Sequence, residues 1–69
     1  MESHEVKSKL YATGYNVKDF ARAHGLHYAT TLEVVNYGRQ AMTGPSSTEI
    51  GEKLAAHLNT TVDELFGAE

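Results

Sequence analysis

Glycines at positions 14, 25 and 38, followed by the pair Gly44-Pro45, cut this chain into short apolar-periodic segments, and that punctuation limits the fold more than any other feature. Nothing alternates with a period of two over enough residues to suggest a sheet, so the segments read as helices. The first spans about Glu5 to Thr13, with Val6 and Leu10 at helical spacing and Gly14 just beyond its end. Asn16-Val17-Lys18-Asp19 has the form of a reciprocal cap and opens a second helix that runs to His24, buries Phe20 and Ala21, and stops at Gly25. A third carries Thr30 to Tyr37 and ends at Gly38. After a loop from Arg39 to Ser47, Ser46-x-x-Glu49 forms a capping box for a fourth helix faced by Ile50, Leu54 and Leu58. Thr61-x-x-Glu64 opens a short fifth helix in which Val62, Leu65 and Phe66 close the core. The expectation is an all-α, compact four- to five-helix bundle forming a single domain over residues 1–69.

A chain of 69 residues buries roughly 60% of its unfolded surface, and without cysteine it has neither disulfides nor thiolate metal cages to support a small core. Packing alone must hold it, which favours a homodimer. There is no apolar run of the ~18 residues that a membrane span needs, and the stretch from Met1 to Lys9 is charged, unlike a signal peptide. A cytoplasmic protein with no membrane partner is expected.

The net charge of −3 counts against nucleic acid at first sight, because lysine and arginine supply most non-specific affinity for phosphate. Its distribution is uneven. From His4 to Gly44 the balance is +2, carried by Lys7, Lys9, Lys18, Arg22 and Arg39; from Pro45 onward it is −4, with Lys53 alone against Glu49, Glu52, Asp63, Glu64 and Glu69. A weakly basic front and an acidic back can orient one face toward DNA.

The most informative constellation is Phe20-Ala21-Arg22-Ala23-His24-Gly25-Leu26. A small residue four positions before a glycine lets two helices pack closely, and the glycine can take the positive φ that redirects the chain. Three pieces in order, Asp19-Phe20-Ala21-x-x-x-Gly25-Leu26, Thr31-Leu32-x-x-Val35-x-x-Gly38-Arg39 and Val62-Asp63-Glu64-Leu65-Phe66, resemble the helix-turn-helix domains of Cro, lambda repressor and the XRE-type bacterial regulators. The long loop after Arg39 looks like that of the small regulators of Mu-like phages and mobile elements. The resemblance implies a lambda-repressor-like fold with its helix-turn-helix at about residues 16–38, and a repressor that reads an inverted repeat in double-stranded DNA. Val17 stands where the family often has a phosphate-touching glutamine, which passes that contact to Asn16, Lys18 or a backbone amide.

Two registers of the third helix are open. With the common spacing from Gly25, Thr31 and Val34 point inward and Leu32 is exposed. With one residue inserted, Leu32 and Val35 pack inward with Ala29, and Thr30, Thr31, Glu33, Val34 and Tyr37 look outward. The second is preferred, because burying leucine in place of threonine favours it by about 1–2 kcal/mol. The resemblance then implies base contacts from Thr30, Thr31, Glu33 and Val34, flanked by Tyr28 and Tyr37, with His27 at the helix start. Arg39, which has no obvious partner in the sequence, is expected to hold phosphate with Lys18 and with either Gln40 or the hydroxyls of Thr43 and Ser46.

Blander roles compete with these. The tyrosines can be half-buried packing residues, and Glu33 can be merely solvated. His24-x-x-His27 straddles a helix stop and lacks a third ligand, so no metal or cofactor is expected. No nucleophile, base and orienting group recur at a usable spacing, which argues against an enzyme. The alternative function is a protein-interaction module, an antitoxin, antirepressor or adaptor whose acidic back docks a partner. The fifth helix, through Leu65-Phe66, is the expected dimer surface.

Overall fold

The computed structural model describes residues 3–67, which form five α-helices and contain no strand. They are α1 (Ser3–Ala12), α2 (Val17–Ala23), α3 (Tyr28–Tyr37), α4 (Pro45–His57) and α5 (Val62–Phe66), with a 3-10 turn over Gly38–Ala41. No helix among the described residues is long and apolar enough to cross a membrane.

Local chemistry fixes most of the boundaries. Asn16 caps α2, its side-chain oxygen accepting from the Asp19 amide at 2.7 Å, and Thr61 caps α5 by accepting from Glu64 at 3.1 Å. Two helices end in the same hydrogen-bond pattern. After α2, Leu26 donates to the Ala21 carbonyl and Gly25 to that of Arg22; after α4, Thr60 donates to Ala55 and Asn59 to Ala56. The pivot residue has positive φ in each, +66° at Gly25 and +59° at Asn59. Asn59 is one of the few side chains that tolerate this conformation.

The start of α4 departs from the sequence expectation. Pro45 is its first residue and Gly44 its cap, with Ser47 rather than Glu49 reaching back to the cap amide. Proline at the first helical position lacks only an N–H that would have no intrahelical partner, so the helix begins two residues earlier than a box at Ser46 would allow. The loop after Arg39 is correspondingly short.

α3 packs against α1, α2 and α4, while α5 closes over α4. The central cluster joins Val6 and Leu10 of α1, Val17 and Phe20 of α2, Val35 of α3, Leu54 and Ala55 of α4, and Leu65 of α5. Burying each of the large side chains contributes roughly 1.5–3 kcal/mol, so every helix has a stake in one core. Leu65 is wholly buried, and Val62 and Phe66 pack against the same cluster. This corrects the expected dimer surface: the apolar side of α5 is used inside the monomer.

Candidate nucleic-acid interface

The turn between α2 and α3 rests on three residues in sequence. Ala21 is buried against α3, Gly25 reverses the chain, and the half-buried Leu26 plugs the corner next to the core. His27 then precedes α3 in an extended conformation and forms no side-chain cap. Thr30 Oγ1 lies 3.3 Å from its ring. The first turn of α3 has no side-chain cap and closes on the His27 carbonyl, which accepts from the Thr31 amide at 2.9 Å.

Along α3 the inward arc is Thr31, Val34 and Val35, all essentially buried. The preferred register is thus corrected: Thr31 and Val34 do not face outward, Ala29 is exposed rather than packed inward, and Leu32 is only half-buried. The energetic comparison behind that preference assumed a costly threonine and a wasted leucine. Neither holds. The Thr31 hydroxyl donates to the His27 carbonyl of its own helix at 2.8 Å, so its burial leaves no unpaired polar atom. Leu32 still covers the edge of the core.

Opposite the buried arc, Ala29, Glu33 and Asn36 form a stripe at i, i+4 and i+7. Ala29 and Glu33 are exposed and Asn36 is half-buried. Asn36 was not among the residues singled out from the sequence. Its spacing from Ala29 and Glu33 is the signal that would have found it, once the register is right. Tyr28 and Leu32 border the stripe on the side of α1 and α2; Thr30 and Tyr37 border it on the other. Tyr28 is 46% exposed, which matches the half-buried role considered for it, and Tyr37 is 63% exposed. Gln40 is exposed on the 3-10 turn, as are Asn16 and Lys18 at the start of α2.

Arg39 is not without a partner. Its guanidinium contacts the Asp63 carboxylate and the Gly67 carbonyl, bringing the end of α5 over the end of α3. The chain folds back across 24 residues to make this pair, a distance in sequence that no local pattern reveals. Lys53 pairs with Glu49 one helical turn away at 3.6 Å. Among the described residues Lys7, Lys9, Lys18 and Arg22 take part in no ion pair.

The two histidines of the His24-x-x-His27 pair part company. His24 packs against Phe20 and faces His57, with ring centroids 5.8 Å apart, while His27 is exposed at the head of α3. Burial, then His57 and Lys53 nearby, lowers the His24 pKa below its usual 6.5. Among the described residues no three metal-ligating side chains gather. Comparison with protein-family models, with curated proteins and with solved structures finds no match to this chain.

Proposed function

We propose that this chain is a sequence-specific DNA-binding transcriptional regulator, a cytoplasmic helix-turn-helix repressor of the Cro and lambda-repressor type that acts as a homodimer. The observation that carries this reading is α3 itself. One side is wholly committed to the core, and the opposite side presents the exposed Ala29 and Glu33 in a row with the half-buried Asn36. A helix held this way can enter a major groove about 12 Å wide and lay its outer row against base edges. Ala29 matches a thymine methyl, Glu33 accepts from a cytosine amino group, and Asn36 can bond adenine in bidentate fashion. Thr31 and Val34 have no part in this contact. Two copies would read half-sites about 34–36 Å apart on an inverted repeat.

Fluorescence anisotropy with duplex from upstream of the protein's own gene, at about 50 and about 200 mM salt, tests the proposal. Tight binding that weakens with salt, and loses sequence preference in Asn36→Ala, is the expected result. Absence of binding, or a flat salt response, overturns it. One observation favours a second reading, a protein-interaction module: Glu52 and Glu64 are exposed in a chain of net charge −3 whose residues from Pro45 onward carry −4. Loss of function on reversing Glu52 and Glu64 to lysine, with Asn36→Ala unaffected, would establish that reading instead.

A further inference from the structure

Along the chain His24 has only His27 near it, and those two rings separate at the turn. The fold gives His24 another histidine. His24 is the residue that ends α2, His57 lies in the last turn of α4, and their ring centroids are 5.8 Å apart.

We infer that His24 and His57 form a two-histidine site for a divalent transition-metal ion of the zinc and copper kind, which clips the end of α2 to the end of α4. The inference is independent of whether α3 reads DNA. Imidazole nitrogen suits these ions, and Cu²⁺ and Zn²⁺ lie at the tight-binding end of the divalent series.

Distance and orientation suit one shared ion. Two imidazoles on a tetrahedral ion, with metal–nitrogen distances of about 2.0–2.1 Å, have ring centroids roughly 5 Å apart. Starting from 5.8 Å, the pair needs to close by only about 1 Å. The ring planes stand at 88°, and an ion on the line where two planes meet lies in the plane of both rings, as each nitrogen lone pair requires.

The surrounding contacts leave each ring a lone pair. Thr13 gives its single hydroxyl proton to the Leu10 carbonyl at 2.6 Å, so its oxygen accepts from His57 Nε2 at 2.9 Å. With the proton on Nε2, Nδ1 is left to bind metal, and Thr13 is the outer partner that fixes tautomer and ring orientation. Tyr15 and Phe20 hold the same ring, with centroids at 4.9 and 5.2 Å. His24 is exposed and its side chain has no hydrogen-bond partner among the described residues, so it is the ring that turns to meet the ion. Burial, with His57 and Lys53 nearby, holds its pKa below 6.5, which keeps the ring in the neutral form a ligand needs. Lys53 opposes an added cation, but its ammonium is paired with Glu49. No cluster of three metal-ligating side chains occurs among the described residues, so water fills the other positions and affinity is modest.

Zn²⁺ titration of the whole chain, followed by calorimetry and thermal melts in chelator-free buffer, tests the site, with Cu²⁺ as a paramagnetic probe. The expected result is one ion per chain, a melting temperature raised by about 5–10 °C at ten times the dissociation constant, and two imidazole nitrogens in the Cu²⁺ resonance spectrum. His24→Gln and His57→Gln should each abolish the rise and weaken binding at least about tenfold; His27→Gln and His4→Gln should leave both unchanged. His57→Gln also removes the Thr13 contact, so the exposed His24→Gln is the deciding variant. Full affinity in His24→Gln, dependence on His27 or His4, or a melting temperature that ignores Zn²⁺ overturns the site and leaves only adventitious surface binding. A single nitrogen on Cu²⁺ in the unsubstituted chain overturns the pairing with His57.

Discussion

The two ends of α3 are built in opposite ways. At its start His27 provides no side-chain cap, Tyr28 and Ala29 are exposed, and a flanking groove is lined by Lys7 and Lys18, which form no ion pair among the described residues. At its end Gly38 is buried beneath Phe66, and Arg39 is tied to Asp63 and the Gly67 carbonyl. One end is open to solvent and the other is covered by α5. The chain thereby places its tertiary contacts where α3 ends and its exposed donors where α3 begins.

Gly38→Ala should break the sealed end most severely. Gly38 has φ +62° and ψ −130°, a combination almost restricted to glycine, and an added Cβ would lie 3.0 Å from Phe66 Cδ1. Strain and overpacking together should cost about 2–4 kcal/mol, lowering the melting temperature by on the order of 10–25 °C. Gly25→Ala, at the open end, meets nothing within 4 Å and bears only the cost of its positive φ of +66°, about 1–2 kcal/mol. Equal losses in circular-dichroism melts of the two variants would show that α5 does not seal α3.

The next largest effects concern the stripe that follows the open end. Asn36→Ala should lose about 1–3 kcal/mol of discrimination at one base pair, read by competition between related duplexes. Thr31→Val, which removes a hydroxyl bonded only within its helix, should keep DNA affinity within about twofold. A strong binding defect in Thr31→Val with a normal melt would restore threonine as a base reader.

These two residues also show what could be read from the chain and what could not. Caps and stops are local, and Asn16, Gly25, Gly38 and Thr61 announced the limits of α2, α3 and α5 because their backbone partners lie within a few residues. The register of α3 was harder, since it turned on whether a buried threonine hydroxyl finds a partner, and that partner is a carbonyl four residues back. Asn59 at the end of α4 is a local signal that was overlooked. The Arg39–Asp63 pair was out of reach: it depends on α5 returning across the end of α3, which only the closed core determines.

The Arg39 contact itself should have a smaller effect. Asp63 is mostly exposed, with 69% of its side chain accessible, so the pair should add no more than about 1 kcal/mol to stability. Its role in binding has a definite sign. Asp63→Asn removes a negative charge and releases the guanidinium, so DNA affinity should rise by about two- to fivefold at low salt, with the gain fading as salt is added. An unchanged or lower affinity in anisotropy would mean that Arg39 belongs to the sealed end alone.

The smallest effect lies behind the open end. His24 closes α2 one turn before α3 and rests in a ring cluster with Phe20 and His57; His57 is also in contact with the Tyr15 ring and with Thr13 Oγ1 at 2.9 Å. Lys53 is the nearby cation from α4 that, with His57, opposes a proton on His24. Because the folded pKa lies below the unfolded value of 6.5, the unfolded chain binds the proton more readily. This contribution to stability is complete above that value and is lost as pH falls from about 6.5 through the lowered folded value. His24→Gln should flatten the decline of melting temperature between about pH 7.5 and 5.5, by roughly 3 °C or less. DNA affinity of the folded protein at constant salt should not follow that window, since His24 faces α4 and not the exposed stripe. A DNA-binding transition that vanishes in His24→Gln while the melts stay parallel would tie this cluster to the open end of α3 and erase the division between the two ends.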